Sequence, residues 1–267
     1  MYHVIHPGTA TEGVPPENFF IVQDEMNNQV GTGRVIYQFT PHADPDVPIN
    51  MYFDMKCALP GRYVLLGALL ARARQLRDAN PQARARVYTI VHPEDTESQQ
   101  FYTSSGLSLQ HRESVVTLHV PEAEGRVPMG CQIVSIPVNT PEEKLAFLSR
   151  LAANDIRNID FVLLQQFMRT SHFQLLGILR ENQLACELMM VGNGDSVELM
   201  SIYTHAQYRR QGLARTLLHR SMTILSMEGV KYFQARIMTR SRPQMELVRA
   251  FGAEETEAIS VFPEMEL

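Results

Sequence analysis

The segment that most constrains the fold runs from Ser196 to Gly229, where the period of the apolar residues changes. Val197–Thr204 is apolar, β-branched and aromatic, and it has the length of a strand. From Leu213 onward apolar residues recur every three or four positions, and Gly229 suits the end of a helix. The segment therefore predicts a strand, a tight turn and a helix in succession.

The turn between this strand and this helix reads Arg209-Arg210-Gln211-Gly212-Leu213-Ala214. The first backbone N–H groups of a helix have no acceptor within the helix and carry the positive end of its dipole. A glycine at this point lets an anion approach the backbone closely. The turn is therefore a candidate phosphate-binding loop, and the alternative is an ordinary turn with solvated arginines.

The spacing Arg-x-x-Gly-x-Ala in this turn resembles the pyrophosphate loop of the Gcn5-related N-acetyltransferases (GNATs), which reads Gln/Arg-x-x-Gly-x-Gly/Ala. Two further features are similar to that family. Thr204-x-Ala206-x-x-Arg209 stands where the family often has Val-x-Pro-x-x-Arg, and an apolar helix ending at Gly252 follows downstream. The resemblance covers nearly the whole chain, closely from Val197 to Gly252 and loosely in the first half.

An internal repeat indicates two domains. Each half shows a hairpin, a strand, a glycine turn, a helix, a strand, a short helix ending in glycine (Gly106 or Gly252) and a last strand. The resemblance implies an α+β fold of two tandem GNAT-like domains, each a mixed, mostly antiparallel sheet flanked by helices. We expect a degenerate GNAT-like domain at 1–122, a Pro/Gly-punctuated linker at 123–130 and an acetyltransferase domain at 131–267.

The first copy of the loop departs from the family pattern. Aligned on its glycine it reads Ala58-Leu59-Pro60-Gly61-Arg62-Tyr63. Pro60 has no N–H to donate, and Tyr63 stands where glycine or alanine would admit phosphate. We therefore expect the first domain to bind acetyl-CoA poorly or not at all, and to pack against the second or line its cleft.

The resemblance implies transfer of an acetyl group from acetyl-CoA to an amine, which must lose a proton before it attacks. Glu198 lies eleven residues before Arg209, at the offset of the base glutamate in histone-type members. On the predicted strand Glu198 shares a face with Met200, Ile202 and Thr204, and this apolar setting would raise its pKa. The alternative is a solvated or salt-bridged carboxylate.

The resemblance also implies a set of contacts to acetyl-CoA. The backbone of Ile202, Tyr203 and Thr204 would bind the pantetheine and the thioester oxygen, with one N–H as the oxyanion donor. The diphosphate would be bound by the amides of Arg210, Gln211, Gly212, Leu213 and Ala214, with Arg209 adding charge.

One departure concerns the group that protonates the leaving thiolate. The family's usual tyrosine falls at Val248, and its usual asparagine falls at Ser241. Three alternatives remain: the thiolate leaves unassisted, Tyr203 or Ser241 serves, or the enzyme is impaired. The first copy keeps a tyrosine, Tyr102, whose expected role is packing.

Composition excludes several other classes. A net charge of −5 argues against a nucleic-acid or membrane-surface binder, and no apolar run is long enough to span a membrane. The three cysteines are too scattered for a disulfide framework, and His172, His205 and His219 are too far apart for a metal site, so no metal is expected. The start of the chain lacks the pattern of a signal peptide, so a cytoplasmic location is expected.

The leading hypothesis is an acetyl-CoA-dependent N-acyltransferase that acts on a primary amine of a small molecule or peptide, with its site in the second domain. The alternative is an impaired tandem protein that binds or senses acyl-CoA. The acceptor, the length of the acyl group and the oligomeric state stay open.

Overall fold

The computed structural model describes residues 1–42, 44–121, 126–156 and 158–267, so residues 123–125 of the expected linker lie outside the described part. The strands are β1 His3–Ile5, β2 Phe19–Gln23, β3 Gln29–Phe39, β4 Ile49–Cys57, β5 Ala85–Tyr88, β6 Ser108–Leu118, β7 Cys131–Ser135, β8 His172–Arg180, β9 Gln183–Asn193, β10 Ser196–Thr204, β11 Tyr232–Met238 and β12 Glu254–Glu266. The helices are α1 Leu59–Asp78, α2 Thr96–Ser104, α3 Pro141–Ala153, α4 Phe161–Phe167, α5 Leu213–Met227 and α6 Arg242–Arg249.

The chain divides into two compact units. Unit 1 comprises Met1–His111 together with Ser260–Leu267, and unit 2 comprises Arg112–Ile259. The expected boundaries group residues 112–122 with the first domain and residues 260–267 with the second, so the units divide at other positions. Most of β6 therefore belongs to unit 2, and the end of β12 belongs to unit 1.

Unit 1 is a sheet with the strand order β1-β2-β3-β4-β5-β12, in which only β4 and β5 are parallel among the described pairs. The last residues of the chain close this order, because Glu264–Glu266 pairs with Arg86–Tyr88. Helix α1 buries Leu65, Leu66 and Leu69 against the sheet, and this contact forms the core of the unit.

Unit 2 has the strand order β6-β11-β10-β9-β8-β7, with the first residues of β12 beside β6. Here β10 and β11 are the parallel pair, and the other pairs are antiparallel. One face of this sheet packs on α5 and α6, and its core includes Leu217, Met222 and Phe233. The other face packs on α3 and α4 through Phe147 and Leu164.

Local sequence signals account for the ends of several elements. Helix α3 begins with the predicted capping box, since the Thr140 side chain accepts from the Glu143 N–H and Glu143 bonds back to the N-cap. Glu181 and Asn182 both have positive φ (52° and 61°), which suits the tight turn between β8 and β9.

The predicted fold class is confirmed, because each unit is a mixed, mostly antiparallel sheet flanked by helices. The predicted order of elements recurs in β2-β3-β4-α1-β5-α2-β6 and in β8-β9-β10-α5-β11-α6-β12. Among the described helices, none combines the length and the apolar character that crossing a membrane requires.

Candidate functional site

The parallel strands of unit 2 separate halfway along β10. They pair only from Ser196 opposite Tyr232 to Leu199 opposite Ala235. β10 then continues along β9 to Thr204, while β11 continues along β6. Within the described ranges, no strand pairs with residues 200–204 on the edge of β10 that faces β11. A wedge therefore opens between β10 and β11, and backbone groups of β10 line one of its sides.

A β-bulge lies where the wedge begins. The register of β10 against β9 shifts between Leu199 and Ser201, which leaves Met200 as the extra residue. Leu199 packs in the core beneath α5, whereas Met200 packs in the core beneath α3 and α4. The bulge therefore reverses which face each later side chain of β10 occupies.

This reversal corrects the expected surroundings of Glu198. Ile202 packs in the core beneath α5, and Thr204 donates to Cys186 of the same core at 3.4 Å. Val197 and Leu199 both pack in the core beneath α5, so Glu198 between them lies on the opposite face, as Met200 does. The prediction that Glu198 shares a face with Ile202 and Thr204 is wrong. The inserted residue interrupts the alternation of side chains between the two faces of the sheet.

Glu198 forms an ion pair with Arg236 instead of packing among apolar side chains. Arg236 of β11 donates from Nε to Glu198 Oε1 at 2.8 Å. The side chains are 28% exposed for Glu198 and 58% exposed for Arg236. The carboxylate at the start of the wedge is therefore ion-paired and accessible, which is the alternative that the sequence left open.

The candidate phosphate loop is a turn that opens α5, as predicted. Arg210 and Gly212 both have positive φ, at 63° and 78°. A Cβ added at Gly212 would meet no atom within 4 Å, so the backbone there is open to a ligand. The first intrahelical bond of α5 runs from the Thr216 N–H to the Gly212 carbonyl at 3.0 Å.

The backbone N–H groups of residues 210–215 have no acceptor in the described part of the chain. Helix α5 has no side-chain cap and no acidic residue in its first turn, whereas Thr140 and Glu143 satisfy the start of α3. Arginines stand at positions 209, 210 and 215, in the loop and directly after it in the sequence. A row of unsatisfied donors at a helix start, with cations nearby, is typical of an anion site.

The β8–β9 hairpin braces this loop. Arg180 donates from Nη1 to Gln211 Oε1, and its guanidinium lies 5.9 Å from the centre of the Tyr208 ring. The Tyr208 hydroxyl donates to Gln183 Oε1 at 3.1 Å. Arg209 donates from Nε to the Thr204 carbonyl at 3.1 Å, which ties the loop to the end of β10.

The side chain of Tyr203 is engaged in a buried cluster. Its hydroxyl donates to Glu187 Oε2 at 2.5 Å, and Arg150 donates to the same carboxylate from Nε at 3.1 Å and from Nη2 at 2.6 Å. Glu187 is 1% exposed. Burial, and after it the Glu187 carboxylate, raises the pKa of Tyr203. A phenol that is held neutral in this way, and whose O–H donates to Glu187, is poorly suited to protonate a thiolate.

The other side of the wedge ends at α6. Ser241 occupies the N-cap position of α6, and its hydroxyl has no partner within the described residues. Gln244 Oε1 accepts from the Met238 N–H at 2.8 Å and so caps the end of β11. Val248 is 3% exposed and packs in the core beneath α6.

The connection between β4 and α1, the described part of unit 1 that corresponds to this loop, is much shorter. Ala58 alone separates β4 from α1, whereas residues 205–212 separate β10 from α5. A Cβ at Gly61 would lie 2.8 Å from Cys57 Sγ, so this glycine permits close helix–strand packing. Nothing in this connection offers the row of donors found at Gly212.

The region of unit 1 that corresponds to the wedge is filled by its own side chains. Thr89 donates from Oγ1 to the Phe53 carbonyl at 2.9 Å. Tyr102 is 6% exposed in the core, and burial raises its pKa. Tyr102 is thus a packing residue, as expected.

A surface cavity lies elsewhere in unit 2. It is lined by residues that include Ser226, Gly229 and Lys231, at the opposite end of α5 from Gly212. Among the described residues no group of three or more His, Cys, Asp or Glu side chains is placed to hold a metal ion. The wedge and the loop are therefore the candidate functional site of unit 2.

Comparison with known proteins supports an assignment of the fold. No family model matches this chain, and no curated protein matches it. Among solved structures, a GCN5-related N-acetyltransferase from Sphaerobacter thermophilus matches 96% of this chain and 82% of its own, with a TM-score of 0.52 and 13% identity. The chain has the fold of a GCN5-related N-acetyltransferase.

Two further GNAT structures are similar at lower scores. A tandem GNAT protein from the clavulanic acid biosynthesis pathway has 19% identity and a TM-score of 0.46, over 93% of this chain and 82% of its own. A GCN5-related N-acetyltransferase from Kribbella flavida has 17% identity and a TM-score of 0.43, over 87% and 86%. At 13% identity, the match to the Sphaerobacter thermophilus structure shows the fold alone.

Within this GNAT fold the structure places the predicted residues at four points. Residues 202–204 line the open edge of β10, residues 209–214 form the loop that follows, and Ser241 lies past the end of β11. Glu198 stands where the strands begin to separate. Sequence reasoning missed Arg236 and Arg180, because each contacts a residue that is distant in sequence. It also missed Gln244, whose contact with Met238 spans only six residues.

Proposed function

We propose that unit 2 transfers an acetyl group from acetyl-CoA to a primary amine of a small molecule or peptide, by direct attack of the amine on the thioester. The observation that carries this proposal is the row of backbone N–H groups at residues 210–214, which have no acceptor among the described residues and follow the open edge of β10 along the chain.

The loop suits the diphosphate of acetyl-CoA. The amides of Arg210, Gln211, Gly212, Leu213 and Ala214 supply donors in one stretch, and Gly212 leaves the space beside them open. The dipole of α5 and the charge of Arg209 add electrostatic attraction for an anion. Arg180, through Gln211, holds the loop in place for this contact.

The open edge of β10 suits the pantetheine arm. Ile202, Tyr203 and Thr204 lie on the part of β10 that no longer pairs with β11, so this edge can exchange hydrogen bonds with the amides of the arm. One of these N–H groups would face the thioester oxygen and stabilise the negative charge that develops on it.

Glu198 is the proposed base. Bound acetyl-CoA supplies an acetyl group activated as a thioester, and the amine nitrogen forms a bond to its carbonyl carbon as the carbon–sulfur bond breaks. Arg236 occupies Glu198 Oε1, and no described residue donates to Oε2. That oxygen accepts the proton of the amine, directly or through one water molecule.

Ser241 is the proposed source of assistance to the leaving thiolate. Val248 has no proton to donate and is buried, and the Tyr203 hydroxyl is bound to Glu187. The Ser241 hydroxyl has no partner in the described part of the chain and lies at the end of the wedge. It can donate a hydrogen bond to the thiolate while solvent supplies the proton.

Thermal unfolding with and without acetyl-CoA tests the cofactor site. Ligand at 100 times its dissociation constant stabilises a fold by about 2.7 kcal/mol, a shift of about 5–10 °C at this size. Gly212→Trp should abolish the shift by covering the loop. Gly229→Trp is the matched control, since Gly229 also has positive φ (97°) and no atom within 4 Å of an added Cβ, but lies at the other end of α5.

The control variant should lose stability through backbone strain and still respond to acetyl-CoA. No shift in the well-folded wild type at high ligand, or an equal shift in both variants, would remove acetyl-CoA from this loop.

A second candidate function is an acyl-CoA-binding protein without turnover, and the burial of Val248 where the family has tyrosine favours it. Release of free thiol in the presence of a panel of amines separates the two candidates. Binding without thiol release, and no difference between wild type and Glu198→Gln, would support the binding protein.

A further inference from the structure

The Glu198–Arg236 pair lies on one face of the unit 2 sheet at the point where β10 and β11 separate. Glu198 is opposite Gln234 in the register, and Arg236 is two residues further along β11. Side chains two residues apart on a strand share a face. Phe233, Ala235 and Ile237 pack beneath α5 and α6, so Arg236 points to the opposite face.

Each member of the pair keeps unused hydrogen-bonding capacity. The contact joins Arg236 Nε to Glu198 Oε1, and no described residue accepts from the Nη groups of Arg236 or donates to Glu198 Oε2. A guanidinium presents two donors at its end, which match the two oxygens of a carboxylate. The pair therefore offers a carboxylate-binding fork beside an acceptor for an ammonium group.

The opposite charges of Glu198 and Arg236 disfavour the binding of a ligand that carries only a positive charge. An ammonium group that approaches Glu198 also meets the guanidinium of Arg236, so attraction and repulsion largely cancel. The facing positions in the register are uncharged, since Gln234 stands opposite Glu198 and Val115 stands opposite Arg236. A molecule with an amine and a carboxylate close together satisfies both groups at once.

We infer that the acceptor is a free α-amino acid, or a similar small zwitterion, whose carboxylate binds Arg236 while its amine is held by Glu198. This inference rests on the proposed function for the reaction itself. Arg236 is then a specificity residue: it orients the amine toward the start of the wedge, where the thioester would lie. A peptide N-terminus lacks the adjacent carboxylate and is a poorer acceptor.

The test compares matched acceptors with acetyl-CoA as donor and thiol release as readout. Each pair is an L-amino acid and its decarboxylated amine, for example leucine with 3-methylbutylamine and phenylalanine with 2-phenylethylamine. The amino acid should have a kcat/KM about 10- to 100-fold higher, the effect of a charge-assisted pair of hydrogen bonds. Arg236→Gln should bring that ratio near one, and Arg236→Lys should retain part of it.

Arg242→Gln is the matched control. Arg242 Nε bonds Glu246 Oε1 at 2.7 Å on α6, through the same atoms as the proposed pair. This variant should keep the wild-type ratio. Equal turnover of amines and amino acids by the wild type, or an unchanged ratio in Arg236→Gln, would overturn the inference.

A binding measurement separates this inference from the proposed function. Thermal unfolding is followed with each amino acid and each amine, with and without acetyl-CoA. If acetyl-CoA does not bind, the proposed function fails, and stabilisation by amino acids that Arg236→Gln removes would still support the carboxylate site. If no amino acid is turned over and none stabilises the wild type, the inference is wrong.

Discussion

The Tyr203 hydroxyl donates to Glu187 Oε2 across β9 and β10, at 2.5 Å and in a buried setting. Arg150 of α3 binds the same carboxylate through two hydrogen bonds. Because Tyr203 also lies on the open edge of β10, this cluster joins the proposed pantetheine edge to the helix that covers the neighbouring face. It holds the strand segment that carries the proposed oxyanion donor.

Tyr203→Phe should lower the free energy of unfolding by about 1.5–3 kcal/mol, the range for a hydrogen bond to a charged group. Tyr208→Phe is its control, since the Tyr208 hydroxyl bonds Gln183 at an exposed position, and it should cost no more than about 0.5 kcal/mol. Urea unfolding measures both. Equal losses of unfolding free energy in the two variants would show that the buried hydrogen bond of Tyr203 stabilises the fold no more than the exposed one of Tyr208.

Stability should fall above pH ~10, the ordinary pKa of tyrosine. The pKa of Tyr203 is raised, so in that range the unfolded chain loses a proton that the folded chain keeps, and alkaline pH favours unfolding. Burial also raises the pKa of Cys186 to about 12, which adds a decline that begins nearer pH ~8.5. Tyr203→Phe should flatten the profile above pH ~10, and identical slopes in wild type and variant would contradict this assignment.

Substitution of two glycines of unit 1 by alanine should change the free energy of unfolding in opposite directions. A Cβ at Gly31 would lie 2.4 Å from Cys57 Sγ and 2.6 Å from Cys57 Cα, so Gly31→Ala should destabilise by about 1–3 kcal/mol. Gly67 lies within α1 with open space around it, and Gly67→Ala should stabilise by about 0.5–1 kcal/mol. Thermal unfolding checks the signs, and a stabilising Gly31→Ala would refute the close approach.

Deletion of residues 260–267 should unfold unit 1. The deleted segment includes the strand residues Glu264–Glu266 that pair with β5, and Phe262, which is 2% exposed. Limited proteolysis with mass spectrometry should show new cleavage within residues 1–111. Phe262→Ala in the full chain should give a milder loss, about 3–5 kcal/mol. Unchanged protection after deletion would show that the segment is dispensable.

Val248→Tyr should not restore a proton donor. Val248 is 3% exposed in the core beneath α6, and a tyrosine there overpacks that core, at a cost of about 1–3 kcal/mol. The expected result is a lower melting temperature without faster thiol release. Faster release at unchanged stability would mean that this position faces the thiolate after all.

Features that depend on neighbours in sequence were predictable. The strand ending at Thr204, the helix from Leu213 and the capping box at Thr140 follow from periodicity and from local side chain–backbone bonds. The bulge at Met200 was not predictable, because it arises from the register against β9 and leaves no mark in the apolar pattern. That single inserted residue moved Glu198 out of its expected surroundings.

The candidate phosphate loop could be found from residues alone, since anion binding at a helix start depends on consecutive N–H groups and one glycine in the left-handed region. The residues that contact Glu198 and Tyr203 could not be found from the sequence. Arg236 meets Glu198, and Glu187 meets Tyr203, only because strands far apart in the chain align in a particular register. Register follows from the packing of both faces of the sheet, so these contacts exist only in the folded chain.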